Sequence, residues 1–206
     1  MAKAGRETEV KFLVQHLPAL AARIAAQGGV TLTPRIHELN LRYDTADNSL
    51  RRAGCALRLR RDAAVTLTYK GASAFRAGAR SRDEFETTVG DFDMTHSILE
   101  GLGFAVVFQY EKFRTTLALG GVEIMLDELP IGDFVEIEGE FGLLRPVADQ
   151  LKLDWEQAIE DSYHALFEKL RVVAQLPFRD LTFGNFEGRS ERAGDLGILP
   201  ADRQLP

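Results

Sequence analysis

Apolar and charged residues alternate with a period of two along much of the first 141 residues. The stretch from Glu7 to Val14, E-T-E-V-K-F-L-V, is the first example. Such alternation is typical of strands in an antiparallel sheet whose two faces meet different surroundings. The strand that ends at Leu119 is long enough to bend or to be two strands. The pattern predicts strands at residues 7–14, 31–43, 56–61, 65–70, 82–89, 104–119, 122–128 and 133–141.

Three segments follow a helical pattern instead. Residues 18–27 are rich in alanine, carry a proline at the start and are followed by two glycines, which is typical of a helix with its stop signal. Residues 94–102 predict a short helix with Asp93 as its N-cap. Residues 154–170 have apolar positions at helical spacing and predict the best-defined helix of the chain.

The segment 175–206 has a different composition, with prolines and glycines scattered among charged residues. Regular secondary structure is not expected there. Its three phenylalanines, Phe178, Phe183 and Phe186, are candidates for docking on the rest of the protein. The sequence therefore predicts a domain at 1–174 and an irregular C-terminal tail at 175–206.

Charged side chains share one face of each predicted strand, and apolar side chains share the other. For a single strand, the ordinary interpretation is a core face and a solvated face. Taken together, however, the charges are sorted by sign into acidic pairs and basic pairs, whereas solvated faces usually mix both signs. The charged faces carry Glu7, Glu9 and Lys11; Arg58 and Arg60; Lys70; Arg82, Glu84 and Glu86; Lys112 and Arg114; Glu123 and Asp127; and Glu136 and Glu138.

Clusters of like charge are unfavourable when buried, and a ligand that brings both signs would remove the penalty. Carboxylate clusters suit a hard divalent cation such as Mg²⁺ or Mn²⁺. Arginine and lysine clusters suit phosphate. If the sheet closed on itself, all the charged faces would line one lumen and the helices would cover the apolar exterior. We therefore predict an α+β fold: an eight-stranded antiparallel β-barrel tunnel with a polar, charged lumen, jacketed by helices.

Composition and net charge limit the kinds of partner that the chain is expected to bind. The chain has 206 residues and a net charge of -6, which argues against a nucleic-acid partner. Cys55 is the single cysteine, so the chain has neither an internal disulfide nor a thiolate metal cluster. The first residues of the sequence are charged and no long apolar run follows. We therefore expect neither a signal peptide nor a membrane span. We expect a cytoplasmic protein, monomeric or homodimeric, that acts on a small molecule.

Short motifs follow one another in a fixed order. As an ordered set, they resemble the CYTH superfamily, also called triphosphate tunnel metalloenzymes, over about residues 6–170. This superfamily includes class IV adenylate cyclases, thiamine triphosphatases and inorganic triphosphatases. The motifs are E-T-E-V-K at 7–11, Y-D-T at 43–45, L-R-L-R at 57–60, T-Y-K-G at 68–71, R-D-E-F-E at 82–86, E-K-F-R at 111–114, D-E at 127–128, G-D-F-V-E-I-E at 132–138 and S-Y at 162–163.

The resemblance implies roles for individual residues. It implies that the substrate triphosphate is held by Lys11, Arg58, Arg60, Lys70 and Arg114, with Arg82 and Lys112 as outer contacts. It implies that Mg²⁺ or Mn²⁺ is bound by Glu7, Glu9, Asp127, Glu136 and Glu138, while Glu84 and Glu86 match less well. The residues expected to be catalytic are Glu7, Glu9, Lys11, Arg58 and Arg60.

Three functions remain open at this point. In a triphosphatase, water attacks the terminal phosphorus. In a cyclase, the ribose 3′-hydroxyl attacks the α-phosphorus and pyrophosphate leaves. The phosphate and metal residues are all visible in the sequence and no nucleotide-reading feature is, so hydrolysis is preferred over the cyclase. A binder of phosphorylated ligands without turnover is the third interpretation.

Overall fold

Strands dominate the computed structural model, which describes residues 3–202. The strands are β1 Lys3–Val14, β2 Val30–Thr45, β3 Ala56–Arg61, β4 Val65–Lys70, β5 Ala74–Arg76, β6 Ala79–Val89, β7 Phe104–Leu119, β8 Val122–Leu129 and β9 Gly132–Glu138. The α-helices are α1 Leu17–Ala26, α2 Ser49–Arg52, α3 Phe92–Gly101, α4 Phe141–Gln150 and α5 Tyr163–Val173. Short 3₁₀ helices lie at Trp155–Gln157, Gly184–Phe186 and Ala193–Leu196.

Eight of these strands form a closed antiparallel barrel. The strand order is β1-β9-β8-β7-β2-β3-β4-β6, and the pairing of β6 with β1 closes the ring. The short strand β5 continues alongside β6 beyond the end of β4. A two-glycine hairpin, Gly120 and Gly121 with φ of 60° and 83°, joins β7 to β8, a conformation that other residues rarely adopt. The predicted eight-stranded barrel is confirmed.

Apolar side chains on the outside of the barrel pack under the helices, as the alternation predicted. Ile124 and Ile137 point outward and pack with Leu20 of α1 and Leu144 of α4. A second cluster joins α5 to β7 and β9, and a third places Leu99 of α3 against β2 and β3. The hydrophobic core of this protein is therefore a shell around the barrel, and the interior is left to polar side chains.

Helices α1 and α3 confirm the predicted segments 18–27 and 94–102 within two residues. The predicted N-cap of α3 was wrong: the side chain of Asp91, and not that of Asp93, accepts a hydrogen bond from the backbone N–H of Met94 at 2.8 Å. Both aspartates precede the same apolar face, so the pattern alone did not separate them. Among residues 3–202, no helix has the length and apolar character that crossing a membrane requires.

The predicted helix at 154–170 was wrong in its first half. The chain forms a single 3₁₀ turn at Trp155–Gln157, then runs without regular structure, and α5 begins only at Tyr163. The backbone N–H of Ile159 donates to the carbonyl of Lys11 at 2.8 Å, and Lys11 Nζ donates to the carbonyl of Asp161 at 3.2 Å. These contacts with β1 hold the segment away from helical geometry, and Ser162 then caps α5.

Helix α4 was missed, because the last strand was predicted to run to residue 141 and Pro146 interrupts the helical pattern. The strand ends at Glu138 instead, and Leu144, Val147 and Ala148 form the buried face of the helix. Burial of this face against the barrel outweighs the cost of a proline inside a helix.

The described part of the tail, residues 175–202, packs along an edge of the barrel that no strand covers. Residues 104–112 of β7 pair with β2 on one side, whereas β8 pairs with β7 only from Phe113 onward. The tail covers this edge: Leu181 N–H donates to the Gln109 carbonyl at 2.9 Å, and the Leu181 carbonyl accepts from Glu111 N–H at 3.0 Å. Phe178 and Phe186 pack against Phe167 of α5. The tail has little regular structure, as predicted, but it is docked through all three phenylalanines, since Phe183 contacts Phe113.

The tail also contributes one buried charge to the fold. The carboxylate of Asp202 is fully buried and accepts hydrogen bonds from the backbone N–H groups of Gln15 and His16, each at 2.8 Å, just before α1. Asp202→Ala would remove the acceptor of both partly buried N–H groups, at a cost of about 2 kcal/mol in the free energy of unfolding. Urea denaturation measures this loss. Asp202→Asn keeps one acceptor and should lose less; equal stability of all three proteins would contradict the assignment.

Candidate active site in the barrel lumen

The inward faces of the eight strands enclose a cavity of about 590 Å³. Its walls are charged on every side, because the inward positions are those that alternate with the outer apolar shell. Nine acidic and nine basic side chains line it. The acidic ones are Glu7, Glu9, Glu38, Asp62, Glu84, Glu86, Glu123, Glu136 and Glu138, and the basic ones are Lys11, Arg42, Arg58, Arg60, Lys70, Arg80, Arg82, Lys112 and Arg114.

Eleven of the twelve residues predicted for the site line this cavity, and Glu84 and Glu86 do so as well. The exception is Asp127, which is fully buried behind the wall. The geometry thus brings the predicted residues of all the strands into one chamber, as the resemblance implied. Their individual roles in binding and catalysis remain predictions.

Asp127 is held by three donors. It accepts hydrogen bonds from Lys112 Nζ at 2.9 Å, Arg114 Nε at 2.6 Å and the Tyr163 hydroxyl at 2.8 Å. Arg114 also bridges to Glu136, at 2.6 Å. Burial would raise the pKa of Glu136, but Lys11 and Arg114 outweigh burial and hold the pKa well below its usual range. This network anchors the start of α5 to the barrel.

On the opposite part of the wall, the carboxylates of β1 are paired with the cations of β4 and β6. Glu7 accepts from Lys70 Nζ at 2.8 Å and from Arg82 Nε at 2.9 Å. Glu9 is paired with Arg80. Burial would raise the pKa of Glu7, but attraction to Lys70 and Arg82 outweighs burial and lowers the pKa far below its ordinary value. The carboxylate of Glu7 is therefore ionised at all physiological pH values.

Arg58 of β3 is held more loosely, whereas the Nε of Arg60 on the same strand is paired with Asp62 at 2.9 Å. Arg58 Nη2 lies 3.6 Å from Glu86 and 3.4 Å from the Thr68 hydroxyl, and its Nη1 lies 3.5 Å from the Tyr110 hydroxyl. Arg42 of β2 has no carboxylate oxygen within 4.0 Å among the described residues, and its contact is His164 Nδ1 at 3.4 Å. Guanidinium groups with weak or no acidic partners are the ones most available to an anion.

Three carboxylates form a row across neighbouring strands. Glu9 of β1 lies opposite Glu138 of β9, and Glu138 lies opposite Glu123 of β8. Like charges in direct cross-strand register repel one another. Across residues 3–202, no cluster of three or more His, Cys, Asp or Glu side chains is already arranged to hold a metal ion. The donor chemistry nevertheless fits Mg²⁺ or Mn²⁺, because carboxylate oxygens are the ligands these ions prefer.

The balance of charge in the lumen supports the same fit. Nine basic groups facing nine acidic groups leave the lumen close to neutral. A triphosphate carries several negative charges, so its entry alone would leave a large unbalanced charge in a partly desolvated space. Divalent cations that accompany it would restore the balance, with Glu9 and Glu138 on the side where they could bind.

Several lumen residues were absent from the predicted site. They are Glu38 and Arg42 on β2, Arg80 on β6 and Tyr110 on β7, and Asn40, in the same inward phase of β2, is fully buried between Glu38 and Arg42 without lining the cavity. A signal was available for the three on β2, because Glu38, Asn40 and Arg42 alternate with apolar residues, but the strand at 31–43 was not divided into faces. Arg80 continues the face of Arg82, and β6 begins three residues earlier than predicted.

Glu38 is almost fully buried and still lines the cavity. Burial would raise its pKa, but Lys112, Arg114 and Arg60 together lower the pKa to about 2. Lys112 Nζ lies 3.5 Å from its carboxylate, Arg60 Nη1 lies 3.9 Å away and Arg114 Nε lies 4.0 Å away. Glu38 is therefore an ionised carboxylate inside the basic part of the lumen.

His164 makes stability depend on pH. Burial and the neighbouring Arg42 lower its pKa from 6.5 to about 4. Below about pH 6.5 the unfolded chain binds the proton first, so the free energy of unfolding should fall by up to about 3 kcal/mol as the pH drops to about 4. Urea denaturation at several pH values across this range measures the change in the free energy of unfolding. His164→Gln keeps an acceptor for Arg42 without titrating and should flatten the profile; an unchanged profile in this variant would assign the effect to other groups.

Comparison with known proteins gives one family and a set of similar folds. The CYTH domain profile matches residues 5–163. An X-ray structure of a Vibrio parahaemolyticus protein, named for a proposed adenylate cyclase activity, is 24% identical, with a TM-score of 0.68 over 78% of this chain and 97% of that one. The PH1819 protein of Pyrococcus horikoshii is 25% identical, with a TM-score of 0.63 over 79% and 98%.

A protein from Hippeastrum is also similar in fold. It is named for a proposed adenylyl cyclase activity and is described as having a dominant triphosphatase activity. It is 20% identical, with a TM-score of 0.60 over 79% of this chain and 95% of that one. A search of curated proteins found no significant match. The solved relatives share the architecture of the barrel along nearly their whole length.

Proposed function

The chain belongs to the CYTH domain family, whose members are typically metal-dependent enzymes, and on this premise we propose that it hydrolyses a triphosphate inside the barrel lumen. The observation that carries the proposal is the closed chamber of about 590 Å³ in which nine basic side chains face nine acidic ones. The substrate would be inorganic triphosphate or a small organic triphosphate. The protein would act on it as a monomer or homodimer in the cytoplasm.

The residues divide into two groups by chemistry. Glu9 and Glu138, with Glu7 and Glu136 beside them, would hold Mg²⁺ or Mn²⁺, which when bound supplies positive charge at the phosphate oxygens. Arg58 would bind the phosphate chain, since its carboxylate partner Glu86 is 3.6 Å away. Arg60 would join it through its Nη groups, which lie 3.9 and 4.0 Å from carboxylates, while its Nε stays paired with Asp62 at 2.9 Å. Lys70, Arg82 and Lys11 would become available to phosphate as their carboxylates turn to the cation.

Hydrolysis then requires little covalent chemistry from the protein. Water attacks the terminal phosphorus, the bond to the bridging oxygen breaks, and the remaining phosphate chain leaves. The guanidinium and ammonium groups are already fixed in the barrel wall, so they stabilise the charge on the equatorial and leaving oxygens without reorganising during the reaction. The rigidity of the closed barrel is what makes this stabilisation effective.

The lining favours hydrolysis over cyclisation. A cyclase must also bind a base and a ribose, and a nucleobase commonly stacks on a free aromatic face. The aromatic rings of the lining are already engaged: Tyr110 and His164 stack on Phe108, with ring centroids at 5.5 Å and 4.2 Å. Tyr163 packs on Phe134 and lies under Lys11 Nζ at 3.9 Å. The triphosphatase activity described for the Hippeastrum protein agrees with this preference.

One assay tests the proposal. The purified protein is incubated with inorganic triphosphate, ATP and thiamine triphosphate, each with Mg²⁺ and with Mn²⁺, and the products are separated and identified. Release of orthophosphate, abolished by a chelator, is the expected result. Cyclic AMP with pyrophosphate would replace the proposal by a cyclase, and the absence of any product would favour a lumen that binds phosphorylated ligands without turnover.

A further inference from the structure

The wall formed by β2 and β3 contains an unusual concentration of unsatisfied polar atoms. Within residues 3–202, six buried side-chain nitrogen and oxygen atoms have no hydrogen-bonding partner, and five of them lie on these two strands. They are Glu38 Oε2, both amide atoms of Asn40, and the Nε atoms of Arg58 and Arg60. Two of them nevertheless lie beside an opposite charge, since Lys112 Nζ is 3.5 Å from Glu38 Oε2 and Asp62 Oδ2 is 2.9 Å from Arg60 Nε. In the described part of the chain, the Asn40 amide and Arg58 Nε therefore lack a partner most completely. Each such atom costs about 1–3 kcal/mol when nothing satisfies it. A cluster of this kind therefore indicates a bound polar molecule.

Glu38 and Asn40 are the centre of the cluster. Their side chains are only 2% and 0% exposed, and both lie on the inward face of β2. Asn40 lies in register with Arg60 on one side and with Tyr110 on the other, and both of these residues line the cavity. The cluster thus adjoins the guanidinium groups that we assign to the phosphate chain.

The types of atom distinguish between possible occupants. A phosphate oxygen only accepts hydrogen bonds, so it would satisfy the arginines but would be repelled by the ionised Glu38. A water molecule both donates and accepts. It can donate to Glu38 Oε2 and Asn40 Oδ1 and accept from Asn40 Nδ2 or an arginine N–H. The mixture of donors and acceptors on this wall matches water and does not match phosphate.

We propose that Glu38 and Asn40 bind the water molecule that attacks the terminal phosphorus, an inference that rests on the proposed hydrolysis. Hydrogen bonds donated to Glu38 and Asn40 fix the water and turn a lone pair of its oxygen toward the phosphate chain on Arg58 and Arg60. The new bond joins this oxygen to phosphorus, and the bond to the bridging oxygen breaks. Glu38 acts by orientation, because three neighbouring cations weaken it as a base, and the proton finally resides on the released orthophosphate.

The kinetic test uses two variants of similar shape to the original residues. Glu38→Gln removes the negative charge that accepts a hydrogen bond from the water, and Asn40→Leu removes all hydrogen bonding at that position. In both, kcat for inorganic triphosphate should fall about 100-fold, because the water is no longer held in position for attack. KM, and the Kd of a non-hydrolysable imido analogue of triphosphate, should stay within about threefold. Glu100→Gln on the exposed side of α3 is the control for loss of a carboxylate.

Other results would overturn the inference. A rise in KM and in the analogue Kd with kcat unchanged would make the two residues substrate contacts, and a loss of thermal stability with both constants unchanged would make them structural. Wild-type protein that releases no orthophosphate refutes the proposed function and the nucleophilic role together, whereas active wild type with fully active variants refutes the role alone. A high-resolution crystal structure gives a readout that does not depend on activity: an ordered water between Glu38 and Asn40 supports the inference, and a dry wall refutes it.

Discussion

Glu138→Gln is expected to lower kcat/KM for the triphosphate substrate about 100-fold or more while the protein folds normally. The change keeps the shape of the side chain but removes one carboxylate from the row formed with Glu9 and Glu123. A metal ligand converted to an amide binds a hard cation weakly, and loss of the cation removes several kcal/mol of charge stabilisation at the phosphate. Steady-state kinetics at several metal concentrations should show the loss partly recovered at high metal.

The amide keeps the size of the side chain and its capacity for hydrogen bonding, so the metal-free variant should still unfold in one cooperative transition, which thermal melting measures. Glu140→Gln is a matched control: Glu140 lies two residues beyond Glu138 but is exposed and lies outside the cavity. It should behave like wild type. Full activity of Glu138→Gln would remove Glu138 from the predicted metal site, and unfolding of the variant would show a structural role instead.

Arg58→Ala is expected to lower kcat/KM by about 100-fold, because a fixed guanidinium at a developing negative charge contributes on this scale. The fold should tolerate the change, since the contacts of Arg58 with Tyr110, Thr68 and Glu86 are all between 3.4 and 3.6 Å. Arg61→Ala is the control on the same strand: its guanidinium lies over Phe92 outside the barrel, 4.5 Å from the ring centroid. Kinetics with inorganic triphosphate and thermal melting measure the two effects.

Arg114 is another arginine of the lumen, but its replacement should affect stability much more than the replacement of Arg58. Its guanidinium holds Asp127 and Glu136 at 2.5 and 2.6 Å, and its removal would leave two buried carboxylates short of a partner. Arg114→Ala should therefore destabilise the protein by about 3 kcal/mol or more in addition to any loss of activity. If Arg58→Ala were the less stable variant, the division between ligand-binding and structural arginines would be wrong.

The barrel could be predicted from the sequence because its interior and exterior differ in polarity at every strand. Period-two alternation fixes which side chains share a face, and in E-T-E-V-K it places Glu7, Glu9 and Lys11 together. Strand order could not be derived in this way. Closure itself was predicted from the charged faces, and the resemblance implied the same tunnel, but the strands that meet at the closure were not identified: the pairing of β6 with β1 joins residues about 75 positions apart.

The errors arose where tertiary contacts override local preference. Residues 158–162 belong to a helical pattern but are held by β1, and residues 141–150 form a helix despite Pro146 because the barrel buries one face. Asp127 shares the inward phase of its strand, but it is covered by Tyr163 at the start of α5, whose hydroxyl donates to it. The period-two alternation assigns a residue to one face of its strand. It does not identify the side chains from other elements that pack on that residue.

The docked tail limits where the chain can be shortened without exposing a strand edge. The profile of the family ends at residue 163, yet the free edge of β7 is covered by Leu181, and the start of α1 is held by Asp202. A chain shortened after residue 174 would present an uncapped strand edge with Val106 and Val107 beside it, 38% and 42% exposed even in the full protein. Unpaired edges of this kind recruit strands from other molecules. We therefore expect a chain shortened after residue 174 to self-associate more readily than the full chain, whatever the chemistry in the lumen.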